Sequence, residues 1–141
     1  DVLTEGAVIA QYIVERAGNV AVLPPGGGAR YRVLEWQTYV GTELHKGFSP
    51  LFDTALGAEA KAHLRQRLRA RFEWLDAQLT GREYLAESGF SVADVYLFVV
   101  TGWSRLVGLE LGDLGHLQAL LRRVSQRPAV QAAMRAEGLL T

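Results

Sequence analysis

Cysteine is absent from this sequence of 141 residues. The chain therefore has no disulfide bond and no thiolate nucleophile of its own, and a cytoplasmic setting fits such a composition. A net charge is lacking too, because fifteen basic side chains balance fifteen acidic ones. This balance argues against a dedicated binder of nucleic acid, which needs a basic surface. No apolar run approaches the roughly 20 residues of a membrane span, so we expect neither nucleic acid nor a membrane as a partner.

Helical periodicity dominates what the sequence does contain. Apolar residues make up 49% of the chain, which is typical of a single globular domain of this length. Leu64, Leu68 and Phe72 recur every four residues, the spacing of one helix face. The predicted helices cover approximately residues 4–17, 29–47, 57–79, 91–107, 117–127 and 128–136. The sequence therefore predicts an all-α fold, a helical bundle.

Two segments interrupt this pattern. Residues 19–28 contain two adjacent prolines and three consecutive glycines, which cannot continue a helix. Pro50 is expected to end the second helix at about Phe48, because proline lacks an amide hydrogen and disfavours helix in the residue before it.

The stretch Phe90–Trp103 contains the strongest local pattern of the chain. Ser91 and Asp94 have the spacing of a capping box, in which each side chain accepts a hydrogen bond from the backbone amide of the other residue. Six apolar residues follow in a row, from Val95 to Val100. A helix that is apolar all round is expected to be buried among other helices.

Thr4-Glu5-Gly6 is the first candidate binding site, because an extended segment enters a helix there. The free amides of a helix start suit an anion, and Gly6 lets a ligand approach the backbone closely. The Glu5 carboxylate beside them suits an ammonium group, so one small zwitterionic group would satisfy both. The alternative is a plain helix start, which the residues alone do not exclude.

Glu43-Leu44-His45-Lys46 is the second candidate. Two basic side chains at a helix end complement the helix dipole, which is a sufficient structural reason for them. The functional alternative is a clamp for an anion or a thiolate. The three histidines, His45, His63 and His116, lack the spacing of metal ligands, so we expect no metal.

Four stretches of the chain resemble bacterial beta-class glutathione transferases, and they occur in the order found in that family. They are LTEGAVIAQYI, ELHKGFSPLF, FSVADVYLFVVTGW and RPAVQAAMRAEGL. The resemblance covers all 141 residues and implies that the chain begins partway through the family's sequence. It implies that residues 1–18 end a thioredoxin-like N-terminal domain, that 19–28 are a linker, and that 29–141 form the all-helical C-terminal domain.

The resemblance also implies a glutathione site. Glu5 would bind the γ-glutamyl ammonium group and Gly6 its carboxylate through the backbone, although the family often has serine at the second position. His45 and Lys46 match a basic pair near the peptide and the sulfur, where they would assist catalysis.

The same resemblance implies binding roles for four further residues. Thr38 falls where asparagine is common, and Thr42 also matches a glutathione-binding position. Glu43 matches an acid that reaches across a dimer interface toward the glutathione of the partner. Trp103 matches an aromatic residue in the wall of the substrate pocket, with core packing as its alternative role.

The implied activity is the conjugation of the glutathione thiolate to small hydrophobic electrophiles, a detoxification reaction, by a cytoplasmic homodimer. The residue beside the sulfur is usually a cysteine of the thioredoxin-like domain, expected upstream of Asp1, so the chain alone is expected to be nearly inactive. One alternative is a transferase-like domain used for protein assembly. Another is a glutathione-dependent dehalogenase, isomerase or disulfide reductase of the same fold.

Overall fold

A computed structural model of the protein describes residues 1–140, and these form a helical bundle without a β-strand. An isolated antiparallel bridge joins Ala86 to Gly89. The α-helices are α1 (Gly6–Arg16), α2 (Gly27–Tyr39), α3 (Lys46–Phe48), α4 (Ala58–Gln78), α5 (Val92–Gly102), α6 (Gly115–Ser125) and α7 (Pro128–Ala136). The prediction of an all-α fold is confirmed. No helix in the described part of the chain is both long and apolar enough to cross a membrane.

The core lies around α5, which contacts α2 on one side and α6 on the other, while α4 packs on α6. Leu97 of α5, Phe72 of α4 and Leu120 of α6 have no solvent-exposed surface. Burying one side chain of this size stabilises the fold by about 1.5–3 kcal/mol. These residues belong to the apolar stripes that the sequence pattern predicts.

The capping box of α5 is present, and its Asp94 carboxylate also binds the loop that precedes the helix. Asp94 Oδ2 accepts hydrogen bonds from the Ser91 amide and from the Ser91 hydroxyl, both at 2.8 Å. Asp94 Oδ1 accepts from the Leu85 amide at 2.9 Å, so one buried carboxylate joins the helix start to the preceding loop. Burial raises the pKa of Asp94 although these hydrogen bonds favour its charged form.

The expectation that α5 is buried all round is wrong. Val95 and Val99 are 38% and 52% exposed, while Leu97 and Val100 are fully buried. The six apolar residues cover the whole circumference of the helix, but α2 and α6 contact only part of it. An apolar stripe of α5 thus remains on the surface of the described chain.

The α-helical part of the second predicted helix ends at Phe48, as predicted, but a π-helical turn interrupts it. After α2 the chain continues as a π-helical turn over Val40–His45, then as α3, and then as a 3₁₀ turn over Ser49–Phe52. Pro50 lies in the first turn of that 3₁₀ segment, where its missing amide hydrogen breaks no bond. Gly47 allows the close approach of α3 to α4, because a Cβ atom there would lie 2.7 Å from Leu68 Cδ1.

Helix α1 packs on α5 and is joined to α2 by polar contacts, and the left-handed Gly18 follows its last turn, as predicted. Its outer side carries Ile9, Tyr12 and Ile13, which are 36%, 53% and 59% exposed. None of its residues is buried. The loop that follows is anchored to the bundle, because Val92 at the start of α5 donates a backbone hydrogen bond to Val22 in that loop.

Candidate functional site

The centre of the candidate site is an aromatic contact between the π-helical turn and α5. His45 Nδ1 lies 2.6 Å from the Tyr96 hydroxyl oxygen. The His45 ring also meets the Trp103 ring edge to face, with centroids 4.8 Å apart and planes inclined by 79°. Two aromatic neighbours thus hold the imidazole ring, which is partly exposed.

His45 and Glu5 both influence Tyr96, His45 through a direct contact and Glu5 through its charge. The pKa of Tyr96 is raised first by burial and then by the negative charge of Glu5. The backbone of Glu5 is strained, since its φ of 68° lies in the region that favours glycine and its ψ is 110°. Such strain is concentrated at ligand-binding positions in proteins.

The start of α1 presents backbone amides beside this carboxylate. The Ile9 amide donates to the Glu5 carbonyl oxygen, which is the first hydrogen bond of the helix. The amides of Gly6, Ala7 and Val8 precede it and have no acceptor within the helix. Gly6 is exposed, and nothing would lie within 4 Å of a Cβ atom at this position. An anion could therefore approach the Gly6 amide closely.

Thr38 and Thr42 lie on the exposed side of α2 and the π-helical turn. The Thr38 hydroxyl donates to the Leu34 carbonyl at 2.8 Å, and the Thr42 hydroxyl donates to the Thr38 carbonyl at 3.1 Å. A hydroxyl group has one hydrogen to donate, so toward a ligand these two groups act as acceptors. Lys46 is exposed and has no carboxylate within ion-pair distance among residues 1–140.

Glu43 points away from His45 and toward α4. Its carboxylate lies 3.1 Å from Arg71 Nε, and the Tyr39 hydroxyl donates to the Arg71 carbonyl at 3.0 Å. Burial, opposed by the nearby Arg71, raises the pKa of Tyr39 to about 12. Within its own chain, the Glu43 carboxylate is therefore paired with α4.

An open groove lies beside Tyr39. Three aromatic rings line it, with centroids 4.7–6.0 Å apart, from Trp36, Tyr39 and Trp74. This groove is separate from the candidate site, since none of its lining residues contacts the His45 ring.

Trp103 separates the core from the open surface. One of its ring contacts is with the fully buried Phe48, at 5.9 Å between centroids, and another is with Phe52, at 6.3 Å. Phe52 is 46% exposed. Both roles considered for Trp103 are therefore compatible with its position, because it packs on the core and also borders the surface beside His45.

Two residues of this region were not identified from the sequence. Tyr96 was included in the apolar run of α5, and Gln37 was not singled out. A half-buried tyrosine hydroxyl needs a hydrogen-bond partner, so Tyr96 within an apolar run was the available indication. Gln37 is 2% exposed, and nothing in its sequence neighbourhood indicates this burial.

Comparison with known proteins identifies the family. The family described as "Glutathione S-transferase, C-terminal domain" matches residues 39–128. The chain is also 38% identical over 138 residues to the glutathione S-transferase GstA of Escherichia coli O157:H7, an alignment that covers 97% of this chain and 69% of that protein. The chain belongs to the glutathione S-transferase family. The resemblance inferred from four sequence stretches is thereby confirmed.

Solved structures of bacterial transferases share this fold. The beta-class glutathione S-transferase of Sphingomonas chungbukensis is 40% identical, with a TM-score of 0.90 over 98% of this chain and 69% of that one. A sphingomonad glutathione S-transferase complexed with glutathione has the same identity, the same TM-score and the same coverage. The chain thus spans about 70% of the length of these transferases.

Proposed function

We propose that this chain supplies the helical wall of a glutathione transferase active site, in which glutathione lies between Glu5 and His45. The proposal rests chiefly on one observation, the contact between His45 and Tyr96, and the charge of Glu5 also acts on the Tyr96 hydroxyl group. A tripeptide with a zwitterionic end and a thiol matches this surface. The acid and the amides at the start of α1 would bind the zwitterionic end, and the basic pair His45 and Lys46 would lie near the thiol.

The zwitterionic γ-glutamyl end would bind at the start of α1. The Glu5 carboxylate would accept hydrogen bonds from the ammonium group, and the amides of Gly6 and Ala7 would donate to the carboxylate. Charge-assisted bonds of this kind are roughly twice as strong as neutral ones. Thr38 and Thr42 would accept hydrogen bonds from N–H groups of the peptide, because their own hydrogens are donated to the backbone.

The thiol would lie near His45 and Lys46. A thiolate is the reactive form, and nearby positive charge or a hydrogen-bond donor lowers its pKa. The electrophile would lie against the aromatic side of the site formed by Trp103 and Phe52. Holding the thiolate and the electrophile in contact supplies the proximity that conjugation needs.

The remaining parts of the enzyme would come from an upstream thioredoxin-like domain and from a second copy. The exposed apolar side of α1, with Ile9, Tyr12 and Ile13, supports a covering partner for residues 1–18. In a homodimer, Glu43 would reach the glutathione of the partner by leaving Arg71, and exposed ion pairs of that kind contribute only about 0–1 kcal/mol. We place the enzyme in the bacterial cytoplasm, where thiols are kept reduced, and assign it to the detoxification of electrophiles.

The direct test uses the full-length protein that contains this chain. We expect calorimetry to detect glutathione binding, and we expect glutathione-dependent turnover of an activated aryl chloride. The double variant Glu5→Ala/His45→Ala should lose both. The matched control is Glu59→Ala/His63→Ala, which removes an acid and a histidine from exposed positions of α4.

The outcomes separate the alternatives. Glutathione binding without turnover of any electrophile would favour a different glutathione-dependent reaction, such as disulfide reduction. The absence of glutathione binding would contradict the proposal and favour an assembly module. Light scattering at micromolar concentration tests the dimer, and a monomer would contradict that part of the proposal.

A further inference from the structure

We infer that Tyr96 is a positioning residue, whose hydroxyl group holds the His45 ring so that Nε2 carries the proton and donates it in a hydrogen bond to the glutathione sulfur. This inference rests on the proposed function, because it presupposes that His45 lies near the sulfur. It assigns a role to a residue that the sequence pattern places in the apolar core.

The geometry of the pair defines which nitrogen is available. The Tyr96 oxygen lies 2.6 Å from Nδ1, so Nδ1 is engaged within the protein. Nε2 has no hydrogen-bond partner among the described residues. A neutral imidazole has one N–H donor and one acceptor nitrogen. If Tyr96 donates to Nδ1, the proton of the ring must be on Nε2.

The Tyr96 hydroxyl group carries the proton that it would donate to Nδ1. Burial and the negative charge of Glu5 both raise the pKa of its hydroxyl group, which is therefore protonated at neutral pH. A protonated phenol can donate to Nδ1 when the proton of the neutral ring is on Nε2, which is the arrangement that we infer here. The same hydrogen bond orients the ring and selects its tautomer.

Both rings are also restrained by packing. The Tyr96 ring lies against Gly41, where a Cβ atom would be 3.6 Å from both Cε1 and the hydroxyl oxygen. The His45 ring is held edge to face against Tyr96 and Trp103, with inclinations of 79° in both pairs. A flip of the imidazole ring would exchange Nδ1 for a carbon atom and lose the hydrogen bond. The packing and the hydrogen bond thus favour one orientation.

The experiment compares Tyr96→Phe with Tyr39→Phe in the full-length protein. Both variants remove a single partly buried phenol oxygen, but the Tyr39 hydroxyl donates to the Arg71 carbonyl on another surface. Histidine labelled with ¹⁵N reports directly on the protonation of each ring nitrogen. We expect Tyr96→Phe to change the Nδ1 signal of His45 and Tyr39→Phe to leave it unchanged.

Kinetics provide the second readout. We expect Tyr96→Phe to lower kcat about fivefold, the effect of one lost hydrogen bond, while KM for glutathione changes by less than about twofold. An unchanged His45 signal in Tyr96→Phe would overturn the inference. A changed His45 signal with an unchanged kcat would overturn the claim that this hydrogen bond contributes to catalysis.

A third variant separates this inference from the proposed function. Full activity in His45→Ala would overturn the role of His45 near the sulfur, and the inference would fall with it. By contrast, an inactive His45→Ala together with an unchanged His45 signal in Tyr96→Phe would overturn the positioning role of Tyr96 alone.

Discussion

Gln11 of α1 donates a 2.7 Å hydrogen bond to the side-chain oxygen of Gln37 in α2, and Gln37 in turn donates to the Ala7 carbonyl at 3.0 Å. Gln37 is buried, so one amide group joins two helices in a region that water does not reach. Helix α1 begins directly after Glu5, and α2 leads into the π-helical turn that ends at His45. This contact thus helps to fix the position of Glu5 relative to His45.

We predict that Gln37→Leu loosens α1 more than it destabilises the bundle. The variant removes two hydrogen bonds, each of which contributes about 0.5–1.5 kcal/mol, while the leucine side chain fills a similar volume. Amide hydrogen exchange in α1 should therefore become about tenfold faster. Gln118→Leu is the matched control, because Gln118 also donates from a partly buried amide to a backbone carbonyl, that of Leu111. Equal exchange rates in α1 for both variants would contradict the prediction.

We predict that Gly6→Ser tightens glutathione binding to the full-length protein. The position has open space for a side chain and no positive φ, so serine introduces no strain. Its hydroxyl group would add one hydrogen bond to the γ-glutamyl carboxylate, which lowers Kd about fivefold. Calorimetry measures this change. Gly28→Ser at the start of α2, where a side chain also meets nothing, should leave Kd unchanged.

We predict that Glu5→Gly and Glu5→Ala differ in stability but not in binding. Both remove the carboxylate that holds the ammonium group, and the loss of a charged hydrogen bond should weaken glutathione binding at least tenfold, or about 1.5–3 kcal/mol. Glycine relieves the strain at φ 68°, whereas alanine does not. Denaturant unfolding without glutathione should show Glu5→Gly to be more stable than Glu5→Ala by about 1 kcal/mol. Equal stabilities would indicate that the backbone there is not strained.

We predict that Asp94 lowers the free energy of unfolding as the pH rises above the acidic range. Its pKa is raised in the folded protein by burial, and the unfolded value is about 3.9. Between these two pKa values the folded state binds more protons than the unfolded state, so this group lowers the free energy of unfolding as the pH rises. Asp94→Asn lacks the titration and should be less stable than the wild type, with a difference that narrows from acidic to neutral pH. Urea unfolding of both proteins across this range is the measurement, and a difference that widens would contradict the prediction.

The local features of the fold could be predicted because they depend on neighbours in sequence. The start of α5 at Ser91 and Asp94, the end of α1 at Gly18 and the start of α7 at Pro128 all follow from residues within one helical turn. The candidate site residues at Glu5 and His45 were named from the sequence, although their roles came from resemblance to a family.

The errors concern features that depend on distant parts of the chain. The exposure of Val95 and Val99 depends on which neighbours α5 has, and a fully apolar run contains no information about that. The π-helical turn changes the orientation of every residue after Val40, and a pattern of 3.6 residues per turn does not predict it.

The amino-acid sequence alone determines that the chain is helical, where the capped helices begin and which family it resembles, since hydrophobic periodicity and capping are properties of short segments. Which side chains face one another could be learned only from the folded chain. Tyr96 meets His45 across 51 positions of sequence, and Gln37 meets Ala7 across 30. Such contacts result from the packing of whole helices, in which every buried polar group must find a partner wherever the bundle brings one.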